Sequence, residues 1–291
     1  MSHGSLEGAV AKIYRAAEHY GVLKAINGGV DYALRPVHAE SDDDGLTYRF
    51  YIGTIEAIPD DFALILGDAF HNLRSALDHL VFELHVRHFR GNVPDYETEH
   101  SMFPINTTVP RRNHRVWDFN DWNSIKSLGK RERTKIEFMQ PYHRWSPKTK
   151  RPWMPRVWQY RHTLDEVSWF DIVDKHRTLH VIQSRPHAVS IPKFPDFYGF
   201  RGTANFKAPL EDGAHVATWT FRIAPPADEM QMHGGVVIGP AVEKSPGIEI
   251  SVLQNLAGCI TGVGMILEEF APLFPTPSRP FFVPNVSVKM G

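Results

Sequence analysis

Apolar residues recur at three- and four-residue intervals in five segments of the chain, and this spacing predicts amphipathic α-helices. The clearest segment is 59–89, where one helix face carries Leu66, Phe70, Leu73, Leu77, Leu80 and Leu84. Pro59 and the two aspartates that follow it suit the first turn of this central helix. Four further helices are predicted at 6–23, 131–139, 157–182 and 253–270.

Short stretches in which apolar and polar residues partly alternate predict the strands. Segments 30–37 and 46–55 flank the turn-prone residues 41–45, and we expect them to form a β-hairpin. Beyond Arg185, proline and glycine separate four more strand-like runs, at 188–191, 214–223, 235–238 and 248–252. Segment 91–110 contains scattered proline, glycine and polar residues and is expected to be a long loop.

These elements predict an α+β fold in three regions. Residues 1–185 are expected to form a helical core that includes the hairpin and a basic, tryptophan-rich loop segment. Residues 186–252 form a β-rich section, and 253–291 supply a terminal helix, packed back on the core, and a tail. The terminal helix contains three glycines among apolar residues, and we expect them to permit close helix packing: Gly258, Gly262 and Gly264.

The composition is typical of a globular protein, with 42% hydrophobic and 22% charged residues among 291. The single cysteine, Cys259, excludes an internal disulfide and a cysteine-rich zinc site. The first residues lack the order of a signal peptide, and each apolar stretch is interrupted well before the roughly 18 residues that a membrane span needs. We therefore expect a cytoplasmic protein that does not enter a membrane.

The charge is distributed unevenly along the chain. Segment 111–161 carries 14 Lys or Arg against four Asp or Glu, and it contains five of the seven tryptophans. Basic side chains neutralise phosphates and aromatic rings stack on unpaired bases, so this segment is a candidate site for single-stranded RNA. Pairing with acidic residues elsewhere, and tryptophans that anchor loops to a core, would produce the same composition. The candidate nucleic-acid-binding residues are Arg111, Arg112, Arg115, Lys130, Arg131, Arg133, Trp145, Lys148, Lys150, Arg151 and Trp153.

The central helix carries an unusual number of polar side chains for a helix with a long apolar face. They are Asp68, His71, Asn72, Arg74, Ser75, Asp78 and His79. One interpretation is a hydrogen-bonded layer, in which Arg74 pairs with Asp78, His71 with Ser75 and Asp68 with Asn72. The other is a site in which a permanent cation, Arg74, and a group that titrates near neutrality, His79, bind a phosphodiester and move its protons.

The run from Arg74 to His79 resembles the Arg-x4–6-His motif of the HEPN superfamily, helical proteins that include many metal-independent ribonucleases of toxin, antiviral and phage-conflict systems. The wider run from His71 to Leu80, with Asp174-Lys175-His176-Arg177 much later, also resembles a group of uncharacterised actinobacterial and phage proteins. The HEPN resemblance implies a homodimer with a cleft lined by Arg74 and His79 of both protomers. Arg74 would hold the scissile phosphate and His79 would act as acid or base for attack by the RNA 2′-hydroxyl. The supporting residues would be Asn72, Asp78, His176 and Arg177.

A second polar cluster lies on the helix predicted at 157–182 and comprises Asp171, Asp174, His176, Arg177 and His180. His176 and His180 are four residues apart, a spacing at which one helix face can present two imidazoles to a metal ion. The same helix could instead cross the central helix and build one shared polar centre with Arg74 and Asp78. Salt bridges and helix capping would also account for these residues.

Three functional hypotheses follow. The first is an RNA-directed, HEPN-like protein that acts as a metal-independent ribonuclease in phage–host conflict and needs no cofactor. The second is a noncatalytic protein-interaction or dimerisation module, in which the polar helix specifies packing. The third is a hydrolase that holds a divalent metal ion with His71, Asp78, His176 and His180. The chain lacks the motifs of P-loop enzymes, dinucleotide-binding dehydrogenases, zincins and α/β-hydrolases.

Overall fold

The structure, a computed structural model, combines helices with antiparallel sheets, so the predicted α+β class is confirmed. It describes residues 4–29, 33–55, 57–108, 111–112, 115–116, 123–145, 155–176, 181–183, 188–190, 196–205, 211–226, 235–245, 248–283 and 286. The chain divides into two units. Unit 1 comprises Met1–Val22, Leu64–Leu179 and Gln254–Gly291, and unit 2 comprises Leu23–Ala63 and His180–Leu253.

The described helices follow the predicted periodicity closely. They are α1 (Glu7–Ile26), α2 (Asp61–His88), α3 (Asp95–His100), α4 (Lys130–Phe138), α5 (Pro155–His176) and α6 (Val252–Phe270). The six apolar residues predicted to share one face of α2 are all buried. The prediction is wrong at two places. The short helix α3 interrupts the expected loop, and α5 ends at His176, because 181–183 form a strand instead of the last helical turn.

Unit 2 contains a six-stranded antiparallel sheet with the order β6-β9-β1-β2-β8-β7. Its strands are β1 (Ala33–Ser41), β2 (Thr47–Ile52), β6 (Ala188–Ser190), β7 (Arg201–Ala204), β8 (His215–Thr220) and β9 (Gly235–Ile238). A three-stranded sheet has the order β11-β10-β5 and comprises β5 (Val181–Gln183), β10 (Pro240–Ser245) and β11 (Ile248–Ser251). In unit 1, the two-residue strands β3 (Arg111–Arg112) and β4 (Arg115–Val116) pair with each other.

The predicted hairpin forms, but it belongs to the larger sheet. β1 pairs with β2 on one side and with β9 on the other, and β2 pairs with β8. Alternate β2 residues point to one face and bury Tyr48, Phe50 and Ile52 against Trp219 of β8. Hydrogen bonds to β8 and β9 place the hairpin in unit 2.

Helix α6 is packed closely within unit 1. A methyl group at Gly262 would lie 2.8 Å from Cβ and 2.9 Å from Cγ2 of Thr163 on α5, and closer still to its hydroxyl. At Gly264 it would meet the carbonyl oxygen of Phe281 at 2.5 Å, whereas Gly258 faces open space. Close helix packing is therefore seen at Gly262, while Gly264 lies close to the main chain of Phe281 instead.

In the described chain, one helical stretch, Val252–Leu273, is long and apolar enough to cross a membrane. Of its most apolar 18-residue window, 56% is buried inside the protein. Leu256, Ile260, Val263 and Leu267 are among the buried side chains. Such burial is the behaviour expected of a core helix in a water-soluble protein.

Candidate functional site

The two polar clusters predicted from the sequence meet where α2 packs against α5. The rings of Phe70 and Phe170 stack with their centroids 3.9 Å apart and an interplanar angle of 4°. Gly67 of α2 allows the carboxylate of Asp174 to approach the helix, because a β-carbon at this position would overlap it. Beside these contacts lie four polar residues, which we call the polar seam: His71, Arg74 and Asp78 of α2 and Asp171 of α5.

His71 and Asp171 form the exposed part of the polar seam. Nδ1 of His71 lies 3.6 Å from Oδ1 of Asp171, and the His71 side chain is 56% exposed while that of Asp171 is 10% exposed. One nitrogen of the His71 ring therefore faces the carboxylate of Asp171. The expected bond from His71 to Ser75 is thus replaced by a contact with α5. This arrangement suits a group that exchanges protons with a bound molecule.

Arg74 and Asp78 form the inner part of the polar seam and bind the loop after α3. Nη2 of Arg74 donates a hydrogen bond of 2.8 Å to the carbonyl oxygen of Phe103, and Oδ1 of Asp78 accepts one of 2.8 Å from the Phe103 N–H. The two side chains also pair with each other at 3.1 Å, as the layer interpretation predicts. The main-chain N–H and the main-chain carbonyl of Phe103 are therefore both satisfied by the central helix.

The pKa of Asp78 is raised above its ordinary value. Burial is the main cause, and the negative charge of Asp171 acts in the same direction. The guanidinium of Arg74 and the N–H of Phe103 oppose the rise. Two carboxyl groups in one partly buried seam thus interact electrostatically, an arrangement that is common at functional sites and in structural ion-pair networks alike.

His79 lies on another side of α2. A methyl group at Gly8 of α1 would come within 3.1 Å of its Nδ1, so His79 packs against α1 while Arg74 contacts Phe103. Five residues rotate an ideal helix by roughly 140° beyond one full turn, which accounts for this separation. The pairing of Arg74 with His79 across two protomers remains a prediction.

The other predicted supporting residues contribute less to this region. Nδ2 of Asn72 donates to the main-chain oxygen of Asp68, one turn earlier on its own helix. His176 ends α5, its side chain is outside the described part, and Arg177 and His180 fall outside the described residues.

The basic segment is described only in part. Lys130 and Arg131 are exposed at the start of α4, and Arg133 is half-buried on the same helix. Arg111, Arg112 and Arg115 are described only as the backbone of β3 and β4, and Trp145 only as the backbone that ends the 3-10 turn Pro141–Trp145. The predicted contacts at Lys148, Lys150, Arg151 and Trp153 lie outside the described residues.

Two cations of this segment have structural partners. Arg161 is buried and donates to the carbonyl oxygens of Phe138 and His143, so it holds the end of α4. Lys135 donates to the carbonyl oxygen of Glu269 at the end of α6. Part of the positive charge that suggested an anionic partner is therefore used inside unit 1, as the alternative interpretation allowed.

Within the described part of the chain, no three His, Cys, Asp or Glu residues are grouped so that they could hold a metal ion. The set proposed for a metal-dependent hydrolase includes His180 and the side chain of His176, which lie outside that part. Neither protein-family models, curated proteins nor solved structures gave a match to the chain.

Sequence reasoning missed a buried histidine on α2. His85 follows Val81 by four residues and therefore lies on the apolar stripe, and its side chain is fully buried. Its hydrogen-bond partners are Ser101, the residue after α3, and Ser127, and no helical or strand period marks either of them. A histidine on a buried helix face is itself a signal, since a buried polar group needs hydrogen-bond partners.

Proposed function

We propose that this protein is an RNA-directed cytoplasmic protein that cleaves RNA without a metal ion. The observation that carries the proposal is the pair of His71 and Asp171, in which a buried carboxylate lies beside Nδ1 of an exposed imidazole. Arg74 lies one turn along the same helix and supplies a permanent positive charge. This assigns the acid–base role to His71, whereas the HEPN resemblance assigned it to His79.

The reaction proposed is intramolecular transesterification of RNA. Nε2 of His71 accepts the proton of the 2′-hydroxyl, whose oxygen forms a bond to the adjacent phosphorus as the bond to the 5′-oxygen breaks. The leaving 5′-oxygen takes a proton from water or from the imidazolium of the paired protomer. Asp171 stabilises the imidazolium that forms. The substrate supplies its own nucleophile, so the chain needs only acid–base groups and a cation.

Arg74 is proposed to stabilise the negative charge on the phosphate. Arg74 contacts Phe103 and Asp78 through the same nitrogen, Nη2. Its Nη1 and Nε groups take no part in these two contacts and are the donors proposed for the phosphate. The exposed cations Lys130 and Arg131 on α4 are proposed to bind RNA phosphates, and their contribution should decrease as salt is added.

The test is cleavage of end-labelled single-stranded RNA by purified protein in the presence of a chelator. We expect His71→Ala and Asp171→Asn to slow cleavage by a factor of about 10² or more. His88→Ala is a matched control, because His88 is an exposed histidine on the same helix, and it should retain the wild-type rate. His79→Ala tests the role implied by the HEPN resemblance.

Two outcomes would contradict the proposal. One is cleavage by His71→Ala at the wild-type rate, and the other is intact RNA after incubation with folded wild-type protein. If only His79→Ala abolishes cleavage, the residue assigned by the resemblance is the acid–base group. Measurement of the oligomeric state by sedimentation then tests the homodimer.

A second candidate is a noncatalytic interaction module, and the bonds of Arg74 and Asp78 to Phe103 favour it. In this case the inner polar seam serves to hold the loop after α3. RNA would remain intact in every reaction, and Arg74→Ala would alter stability or self-association only. The same set of variants therefore separates the two functions.

A further inference from the structure

Four residues of unit 1 form a separate polar group at the end of α2, which we call the His85 cluster: His85, Glu97, Ser101 and Ser127. Nδ1 of His85 lies 2.9 Å from the hydroxyl oxygen of Ser101, and its Nε2 lies 3.2 Å from that of Ser127. The His85 side chain is fully buried, whereas Ser127 is half-buried. Ser101 is half-buried as well, so both hydroxyl groups of the cluster lie nearer the surface than the imidazole ring between them.

The hydrogen bonds determine where the proton of His85 lies. The hydroxyl of Ser101 donates its proton to the main-chain oxygen of Glu97, so it accepts a hydrogen bond from the ring. Nδ1 of His85 must then carry the proton, and Nε2 of the neutral ring presents a lone pair. The hydroxyl of Ser127 donates to this lone pair. Two successive hydrogen bonds thus connect Ser127, His85 and Ser101, the connectivity that a nucleophile, its base and an orienting group require.

The surroundings of His85 keep the ring in its basic form. Burial lowers the pKa of His85, and the nearby His88 acts in the same direction while the carboxylate of Glu97 opposes it. Oε2 of Glu97 lies 3.6 Å from Nε2, and it is buried without a hydrogen-bond partner in the described structure. An acceptor so close to Nε2 would stabilise the imidazolium that forms when the ring takes up a proton.

We propose that Ser127 is a nucleophile that accepts an acyl group from an aryl ester, with His85 as its general base. The Ser127 oxygen forms a bond to the ester carbonyl carbon as its proton passes to Nε2 of His85. The bond to the aryl oxygen then breaks, and the aryl oxygen leaves as phenolate or takes that proton. Water later attacks the acyl-serine in the same way, which releases the carboxylic acid and restores the hydroxyl.

The surface near Ser127 is suited to an aromatic leaving group. Tyr96 is 42% exposed, and the ammonium of Lys126, the residue before Ser127, lies 4.9 Å from its ring centre. An exposed aromatic ring and a cation thus lie beside Ser127, and the Lys126 charge favours a phenolate as it leaves. This activity uses neither His71 nor Asp171, so it is independent of the proposed ribonuclease.

The test uses 4-nitrophenyl acetate, with nitrophenolate release followed by absorbance and acetylation located by peptide mass spectrometry. We expect one acetyl group on Ser127, and no acetylation of that peptide in Ser127→Ala. Ser124→Ala, which changes a serine in the same turn, should react as the wild type does. Because the pKa of His85 is lowered, the rate should be constant near neutral pH and fall only in acid.

His85→Asn should slow acetylation by about 10² or more, provided that circular dichroism shows the variant folded. If that variant unfolds, Ser101→Ala serves in its place. It removes the group that orients Nδ1 and should lower the rate while Ser127 remains the modified residue. An unmodified Ser127 in the folded wild type would overturn the proposal. A second refuting result is the combination of equal acetylation rates in wild type and Ser101→Ala with a rate that does not fall in acid.

Discussion

The glycines of α6 allow a sharp test of how this helix packs. Gly262→Ala would place a methyl group within 3 Å of the hydroxyl, Cβ and Cγ2 atoms of Thr163, whose side chain is 1% exposed. Thr163 is β-branched and buried, so a change of rotamer cannot move all three atoms away. The helices must separate locally, and overpacking of this kind costs about 1–3 kcal/mol.

Gly258→Ala is the matched control, since a methyl group there meets nothing within 4 Å. Replacing a helical glycine with alanine stabilises a helix by about 0.5–1 kcal/mol. Both variants gain this contribution. The difference between their unfolding free energies therefore measures the cost of the overlap between the methyl group at position 262 and Thr163. We expect Gly258→Ala to be more stable than the wild type by about 0.5–1 kcal/mol. Gly262→Ala should be less stable than Gly258→Ala by about 1–3 kcal/mol.

The assay is urea unfolding followed by far-ultraviolet circular dichroism, with the midpoint and the slope compared among variants. Thr163→Ala combined with Gly262→Ala removes two of the three close atoms. The double variant should therefore be more stable than the sum of the single changes predicts, by about 0.5 kcal/mol or more. Equal stability of Gly258→Ala and Gly262→Ala would refute the close contact between α5 and α6.

Two further predictions concern the polar groups of α2. Arg74→Ala leaves the carbonyl of Phe103 without its donor and should lower the unfolding free energy by about 1–3 kcal/mol in the same urea experiment. The control is Arg15→Ala, which breaks an exposed ion pair with Glu18 and should change the unfolding free energy by less than about 1 kcal/mol. Burial lowers the pKa of His85 below 6.5 in the folded protein, so below pH 6.5 the unfolded chain binds more protons than the folded protein does. The stability that neutral His85 contributes is therefore complete above pH 6.5 and is lost as the pH falls toward the lowered pKa. His85→Asn should remove this part of the pH dependence below pH 6.5, and an unchanged slope would contradict it.

Much of the secondary structure could be predicted because it is encoded locally. The helix from 61 to 88 and the strand from 47 to 52 have the periods of 3.6 and 2 residues that single segments display. Strand β7 was missed because its four residues are all exposed and lack an apolar alternation. Its conformation depends on pairing with β8, which no local pattern reveals. Helix α3 was missed because only Glu97 of its six residues is buried.

The candidate site could be predicted only as a set of polar residues. The spacing of Arg74 and Asp78 on one helix was sufficient to predict their ion pair. Their shared contact with Phe103 was not predictable, because a loop has no periodicity from which its position could be derived. His79, the partner of Arg74 that the motif implies, packs against α1, since the helical rotation separates the two side chains.

The α+β class, the amphipathic helices and the polar character of α2 are encoded locally, because these properties depend on neighbours within a few residues. Tertiary packing, in contrast, joined the hairpin to β8 and β9 and brought His71 next to Asp171, a hundred residues away in the chain. It likewise brought His85 beside Ser101 and Ser127. The physical reason is that burial of apolar faces selects which elements pack together, and that packing determines which polar groups become partners.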